Sequence, residues 1–224
     1  MRAILSIFIG LVISASASAL SLGDLSEKDT AGGLKEALSQ GAVNAVLKLG
    51  KTDGFLGNPQ VKIPLPENLA KVESLMRTFG MGAQADELVT TLNRAAESAV
   101  TQAKPLLVDA VKKMSVKDAK DILSGGDDAA TQYFRRTTAT PLREKFRPVV
   151  VKAVGRVGLV PQYNQLAAKA AQFGLPQQSM EDYVTDKALD GLFLMIAEQE
   201  KAIRANPLQA AGSLAKKVFG TLMQ

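Results

Sequence analysis

Apolar residues recur at the spacing of an α-helix along almost the whole chain after residue 25, and this pattern limits the chain to helical folds. Alanine, the residue with the highest helix propensity, provides 32 of the 224 residues. We therefore predict one all-α domain over residues 20–224, a helical bundle of about seven to eight helices. The longest apolar stripe consists of Leu88, Leu92, Ala95, Ala99, Ala103, Leu106, Ala110 and Met114.

Prolines divide this pattern into separate helices. Pro105 should kink or split the helical run over 82–114, because proline has no amide hydrogen and clashes with the preceding turn. The dipeptide Thr140-Pro141 predicts the start of a helix, since proline is favoured at the first helical position. Further helices are expected over Pro161–Phe173 and after Asn206-Pro207.

One stretch lacks the helical pattern. Glycine, asparagine and proline mark turns between residues 51 and 60. Val61, Ile63 and Leu65 then alternate with a lysine and a proline, which predicts a short extended segment near 60–65 that lies over the core. The prolines in this segment restrict it to an edge strand or to plain extended chain.

The chain contains no Cys, no His and no Trp, which excludes several kinds of chemistry. Thiol nucleophiles, disulfides, zinc–thiolate sites and iron–sulfur clusters all require Cys. A Ser-His-Asp triad requires His, which is also the commonest metal ligand. We therefore predict no catalytic residue, no metal site and no cofactor. An enzyme built on this chain would have to use carboxylates, with Mg²⁺ as the metal that suits oxygen ligands.

The first residues have the pattern of a secretory signal peptide. Arg2 is followed by an apolar run over residues 3–13, whose 11 residues fall short of the about 20 that cross a bilayer. Ala17-Ser18-Ala19 then provides the small residues that a signal peptidase reads. We predict a signal peptide over residues 1–19, cleavage after Ala19 and a periplasmic location. A chain without Cys fits that oxidising compartment.

Positive charge is concentrated in the segment 133–156, which contains seven basic residues and one acidic residue. Arginine, which pairs with carboxylate and phosphate through two parallel hydrogen bonds, predominates there. Two interpretations remain open: the arginines collect an anionic ligand, or they pair with acids elsewhere in the chain. We expect Arg135 and Arg136 to be exposed anion-binding candidates, and Arg143 and Arg147 to pair internally.

The late helix predicted over about 180–205 is the natural source of those acids. Its residues 191–197 are apolar on nearly all sides, which predicts burial within the bundle. At 100° per residue, Glu200 returns to the azimuth of Asp182 and Arg204 to that of Asp186. The acidic residues lie toward the two ends of the helix, on either side of the apolar stretch. Burial of an acid requires a partner, and the arginine-rich segment could provide it. The candidate acids of this ion-pair network are Asp182, Asp186, Asp190, Glu198 and Glu200.

A specific block near the end of the chain consists of Tyr183–Arg204, Asn206-Pro207 and Lys216–Gly220. This block resembles a bacterial exported family catalogued as domain of unknown function 4197. Gly54-Phe-Leu-Gly57 and Ile63-Pro-Leu-Pro66 are also similar to it, so that essentially the whole chain after the leader is covered. The resemblance implies an exported helical protein. It implies no reaction and assigns no catalytic residue.

These observations favour a non-catalytic periplasmic protein that binds an apolar or amphiphilic envelope ligand or an envelope partner protein. A carboxylate-based enzyme and a structural homo-oligomer are the alternatives. The candidate partners are a lipid or another anionic envelope component and further copies of the chain. Nucleic acid is not expected, because aromatic residues make up only 5% of an exported chain. No transmembrane segment is expected after removal of the leader.

Overall fold

The computed structural model describes residues 27–80, 82–155 and 178–206, together with residues 160, 161, 163–165 and 168. The predicted signal peptide, most of the helix expected over Pro161–Phe173 and the helix expected after Asn206-Pro207 lie outside these residues. Within them the chain is helical and contains no strand, so the predicted all-α class is confirmed. The helices are α1 Glu27–Gly50, α2 Glu67–Thr78, α3 Gly82–Val100, α4 Ala103–Lys113, α5 Val116–Ser124, α6 Ala129–Val154 and α7 Met180–Ala205.

Helix α7 is the central helix of the bundle and packs against α6, α1 and α3. Its residues Ala188, Leu192, Phe193 and Ile196 are almost fully buried, as the apolar pattern predicts. The expectation of burial on all sides is wrong at Leu194, whose exposed fraction is 41%. In the described part of the chain, α1, α3 and α6 pack on the other sides of α7, and the side that carries Leu194 is exposed.

Alanine allows the helices to approach closely along α3. Ala95 and Ala99 on α3 and Ala103 at the start of α4 have no exposed surface, because α1, α6 and α7 pack against this part of the bundle. The expected break near Pro105 is confirmed, since α3 ends at Val100 and α4 begins at Ala103. Pro105 thus lies in the first turn of α4, where no helical partner for its missing amide hydrogen is needed.

The predicted helix start at Thr140-Pro141 is wrong, because α6 continues through Pro141 and Pro148. The apolar face of α6 explains this continuity: Leu142, Phe146 and Val150 have no exposed surface. Full burial of such side chains contributes about 1.5–3 kcal/mol each, which offsets the about 3 kcal/mol that an internal proline costs.

Side chains of α3 hold the extended segment near 60–65 without a partner strand. Val61, Ile63 and Leu65 are buried, as their alternation predicts. The buried amide of Asn93 accepts a hydrogen bond from the Ile63 amide at 2.8 Å and donates one to the Ile63 carbonyl, also at 2.8 Å. One side chain therefore satisfies both backbone groups of Ile63, as a neighbouring strand would.

The preceding loop is held in the same way by a buried carboxylate. Glu97 accepts hydrogen bonds from the backbone amides of Phe55 at 3.0 Å and Leu56 at 3.2 Å. Its second oxygen pairs with Arg94 at 2.7 Å, and Arg94 also contacts Asp53 at 2.8 Å. These contacts fix the loop so that the fully buried Phe55 packs on the central helix.

Candidate functional site

Most of the predicted ion pairs lie along the seam between α6 and α7. Arg143 pairs with Asp186 and, at 3.3 Å, with Asp182. Arg147 pairs with Asp182 at 3.0 Å. The arginine side chains retain exposed fractions of 41% and 51%, so the pairs are half-exposed rather than internal as expected. Half-exposed pairs of this kind contribute at most about 1 kcal/mol each and mainly fix how two helices align.

Arg135 belongs to the same seam rather than to a free surface. Its guanidinium lies 3.6 Å from Asp190 and 4.6 Å from the centre of the Phe193 ring. A cation over an aromatic face is attracted by the ring quadrupole. Arg135 was expected to be an exposed ligand-binding candidate. Its guanidinium instead makes two contacts within the chain, with Asp190 and with Phe193.

Asp182 contacts three side chains at the seam, those of Arg143, Arg147 and Ser179. Ser179 caps α7, because its hydroxyl oxygen accepts from the Asp182 amide at 3.1 Å and its hydroxyl donates to the Asp182 carboxylate at 2.8 Å. Burial alone would raise the pKa of Asp182. Hydrogen bonds from Ser179 and Arg147, and the charges of Arg147 and Arg143, outweigh burial and hold that pKa below its usual value.

Glu200 lies away from this seam, at the first turn of α6. Its carboxylate accepts hydrogen bonds from the backbone amides of Ala130 at 2.9 Å and Thr131 at 2.8 Å, and from the Thr131 hydroxyl at 2.8 Å. Arg204, one turn further along α7, pairs with the same carboxylate at 2.8 Å. A carboxylate suits the positive end of a helix dipole. Glu200 therefore caps α6, and its ion pair is with Arg204 rather than with a described arginine of the segment 133–156.

The remaining candidate acid, Glu198, forms a hydrogen bond between the central helix and the loop after α1. It accepts a hydrogen bond from the Gln60 side chain at 2.7 Å. Near it, the Asn58 amide lies 3.9 Å from the sulfur of Met195. These contacts join the loop to the central helix.

Arg136 faces a groove between α4 and α6, closed at one end by the start of α5. The groove has a volume of about 510 Å³. We call it the α4–α6 groove. It is lined by Leu106, Asp109, Ala110, Lys113, Asp118, Tyr133, Arg136, Thr137, Thr138 and Pro141.

The wall of the α4–α6 groove combines apolar surface with charged groups. Leu106 and Pro141 are partly exposed and provide apolar surface. Ala110 and Tyr133 are almost fully buried in the wall, where the Tyr133 hydroxyl donates a hydrogen bond to the Ala110 carbonyl at 2.8 Å. Two pairs of oppositely charged side chains lie on the rim. Lys113 pairs with Asp109 at 2.7 Å, and the guanidinium of Arg136 lies 3.9 Å from the carboxylate of Asp118.

Of these groove residues, sequence analysis proposed only Arg136 as a ligand-binding candidate. Only the helical spacing of Asp109 and Lys113, one turn apart, could have indicated a charge pair. Their position opposite Arg136 depends on how α4 packs against α6, which a one-dimensional pattern does not contain. Of the four arginines singled out from the sequence, Arg136 is the one that lines this groove.

The described residues provide no carboxylate cluster that could hold a metal ion. In the same part of the chain, no helix has both the length and the apolar character needed to cross a membrane.

A family model described as "Protein of unknown function (DUF4197)" matches residues 24–220. The chain belongs to that family, so the resemblance noted in the sequence is confirmed. No curated protein and no solved structure matches the chain.

Proposed function

We propose that this member of the DUF4197 family is a non-catalytic periplasmic protein that binds an amphiphilic envelope ligand in the α4–α6 groove. The observation that carries the proposal is the groove itself, whose volume of about 510 Å³ comes with a wall of mixed character. Small-molecule sites typically have volumes of about 300–1,000 Å³ and combine apolar lining with a few polar groups.

The wall offers separate surfaces to the two parts of an amphiphile. Leu106 and Pro141, the partly exposed apolar residues of the wall, would contact an apolar chain. Each apolar square ångström removed from water contributes roughly 25 cal/mol, so this contact favours binding of an acyl chain. The charged rim would fix the orientation of the polar end.

Arg136 is the group best placed to contact the polar end. Its side chain is 67% exposed, the largest fraction among the four arginines singled out from the sequence. Its contact with Asp118 is long, at 3.9 Å, and its guanidinium lies 5.6 Å from the Tyr133 ring centre. A ligand phosphate or carboxylate would accept two parallel hydrogen bonds from this guanidinium.

Export of the chain is part of the same proposal. The apolar run over 3–13 and the Ala17-Ser18-Ala19 sequence support a leader that is cleaved before Leu20. N-terminal sequencing of the protein isolated from the periplasm should yield Leu20 as the first residue. Recovery of intact Met1 in that fraction would contradict the proposed processing.

A carboxylate-based enzyme has less support than a binding protein. Asp182 and Asp186, the acids with the best spacing for a pair, are engaged by Arg143 and Arg147 along the seam. Among the described residues, no helix carries more than one exposed large apolar side chain, so none of these helices alone offers an apolar face to a homo-oligomer. The exposed residues are Leu47, Phe79, Val116, Val151 and Leu194.

Native mass spectrometry of the protein purified from the periplasm tests the binding function. We expect a monomer with an added mass that gentle activation releases as an intact amphiphile. Arg136→Gln should lower the ligand-bound fraction. Arg135→Gln is the control, because Arg135 belongs to the seam between α6 and α7 and lies outside the groove, and it should leave that fraction unchanged. A bare monomer in every preparation would contradict the proposal, and a ligand-free dimer would favour the structural alternative.

A further inference from the structure

The charged groups on the rim of the α4–α6 groove balance each other. Two cations, Lys113 and Arg136, and two carboxylates, Asp109 and Asp118, line the same space. The excess of positive charge that marks the sequence around Arg136 is therefore absent at the groove. A ligand with net negative charge would gain from the cations but would also meet both carboxylates, which repel it.

Resting on the proposed binding function, we propose that the groove selects a zwitterionic head group that carries a phosphate and a primary ammonium. Phosphoethanolamine is the chemical class. Its phosphate would accept hydrogen bonds from Arg136 and Lys113, and its ammonium would donate to the carboxylate of Asp109. Arg136, Lys113 and Asp109 would each exchange a partner within the groove for a group of opposite charge on the ligand, while Asp118 keeps its hydrogen bonds from Ser115.

The carboxylate of Asp118 is held in a fixed orientation, which suits a selective site. One of its oxygens accepts hydrogen bonds from the Ser115 amide at 3.0 Å and the Ser115 hydroxyl at 2.6 Å, as part of the capping box of α5. The other oxygen faces Arg136. The hydrogen bonds from Ser115 also hold the pKa of Asp118 below its usual value, so this carboxylate stays charged at neutral pH.

The test compares head groups on identical short acyl chains by isothermal titration calorimetry. The probes are dihexanoyl phosphatidylethanolamine and dihexanoyl phosphatidylglycerol, both below their micelle concentrations, and chain-free glycerophosphoethanolamine. We expect the ethanolamine lipid to bind at least about threefold more tightly than the glycerol lipid, as a half-exposed charge contact would give. Arg136→Gln should weaken the binding of both lipids.

Asp109→Asn should remove the preference for the ethanolamine lipid, because it removes the acceptor for the ammonium. Asp121→Asn is the matched control: Asp121 forms the same exposed pair with a lysine one turn away but lies outside the groove, so the preference should remain. A preference unaffected by Asp109→Asn would overturn the proposal.

The remaining outcomes separate this inference from the proposed function. Equal binding of the two lipids, or tighter binding of the glycerol lipid, would overturn the selectivity while the binding function stands. Absence of binding by both lipids would overturn both. If glycerophosphoethanolamine binds as tightly as the ethanolamine lipid, the head-group class stands and the source is a free phosphoethanolamine rather than a lipid.

Discussion

The carboxylate of Glu200 on α7 accepts hydrogen bonds from both the backbone amide and the hydroxyl of Thr131, in the first turn of α6. The helix that begins there lacks a side-chain cap of its own, since the Asp128 side chain makes no capping hydrogen bond. Arg204 donates to Glu200 and, at 3.0 Å, to the Ile122 carbonyl near the end of α5. One carboxylate and one guanidinium thus join the ends of three helices.

We expect Glu200→Ala to lower the free energy of unfolding by roughly 2–4 kcal/mol. The substitution leaves the amides of Ala130 and Thr131 without acceptors, and an unsatisfied buried donor costs about 1–3 kcal/mol. Urea denaturation followed by circular dichroism measures the effect. Glu198→Ala, a control on the same helix with one hydrogen bond to Gln60, should cost less than about 1 kcal/mol. Equal costs for the two variants would argue against a capping role.

Asn93→Ala should be about as damaging, because both backbone groups of Ile63 lose their partner. Asn93→Asp retains the acceptor and loses the donor, and it also buries a charge, so it should not rescue the fold. Asn44→Ala, which removes an exposed contact with Gln40, provides the control and should change stability by less than about 0.5 kcal/mol. A urea midpoint for Asn93→Ala equal to that of Asn44→Ala would disprove the role assigned to Asn93.

The sequence predicted the parts of the fold that depend on periodicity. The burial of Leu192 and of the alanines at 95 and 99 follows from helical spacing alone. Asn93 and Glu97 were not predicted, because polar residues beside an apolar stripe normally indicate the solvent face. Their partners are backbone amides more than 29 residues away, which carry no side-chain signature. Continuation of α6 through Pro141 likewise depends on burial that only tertiary packing determines.

The same reasoning separates the predictable and unpredictable parts of the candidate site. Complementary charges on two segments correctly predicted that Arg143 and Arg147 meet Asp182 and Asp186. The exposure of these pairs depends on where α6 meets α7 on the surface, and the groove depends on how α4 packs against α6. Neither relationship is encoded in the spacing of residues along one helix.

Stability should fall at acid pH in part through Asp182. Because the folded chain holds the pKa of Asp182 below its unfolded value, the ionised carboxylate stabilises the fold above the unfolded pKa, near 4. This contribution is lost as the pH falls through the lower, folded pKa. The difference in stability between the parent and Asp182→Asn, under about 1 kcal/mol for a pair this exposed, should shrink between pH 5 and 2.5. A constant difference over that range would contradict this linkage.

Gly191 is required where the loop after α1 crosses the central helix. A methyl group on Gly191 would lie 2.7 Å from the ring of Phe55, too close for carbon atoms. Gly191→Ala should therefore destabilise the fold by about 1–3 kcal/mol through overpacking. Gly32→Ala is a matched control, since Gly32 is also helical and a methyl group there meets nothing within 4 Å. It should raise stability by up to about 1 kcal/mol, and thermal denaturation of both variants would show whether the signs are opposite.

The binding function depends on whether an amphiphile occupies the α4–α6 groove, and the composition of the chain makes a direct measurement available. Because the chain contains no Trp, Leu106→Trp places a single reporter in the groove, and Leu47→Trp places one on an exposed site of α1 outside it. Titration with dihexanoyl phosphatidylethanolamine below its micelle concentration should shift the emission of the groove reporter to shorter wavelength in a saturable manner and leave the α1 reporter unchanged. Identical, non-saturating responses of the two reporters would contradict binding in the groove.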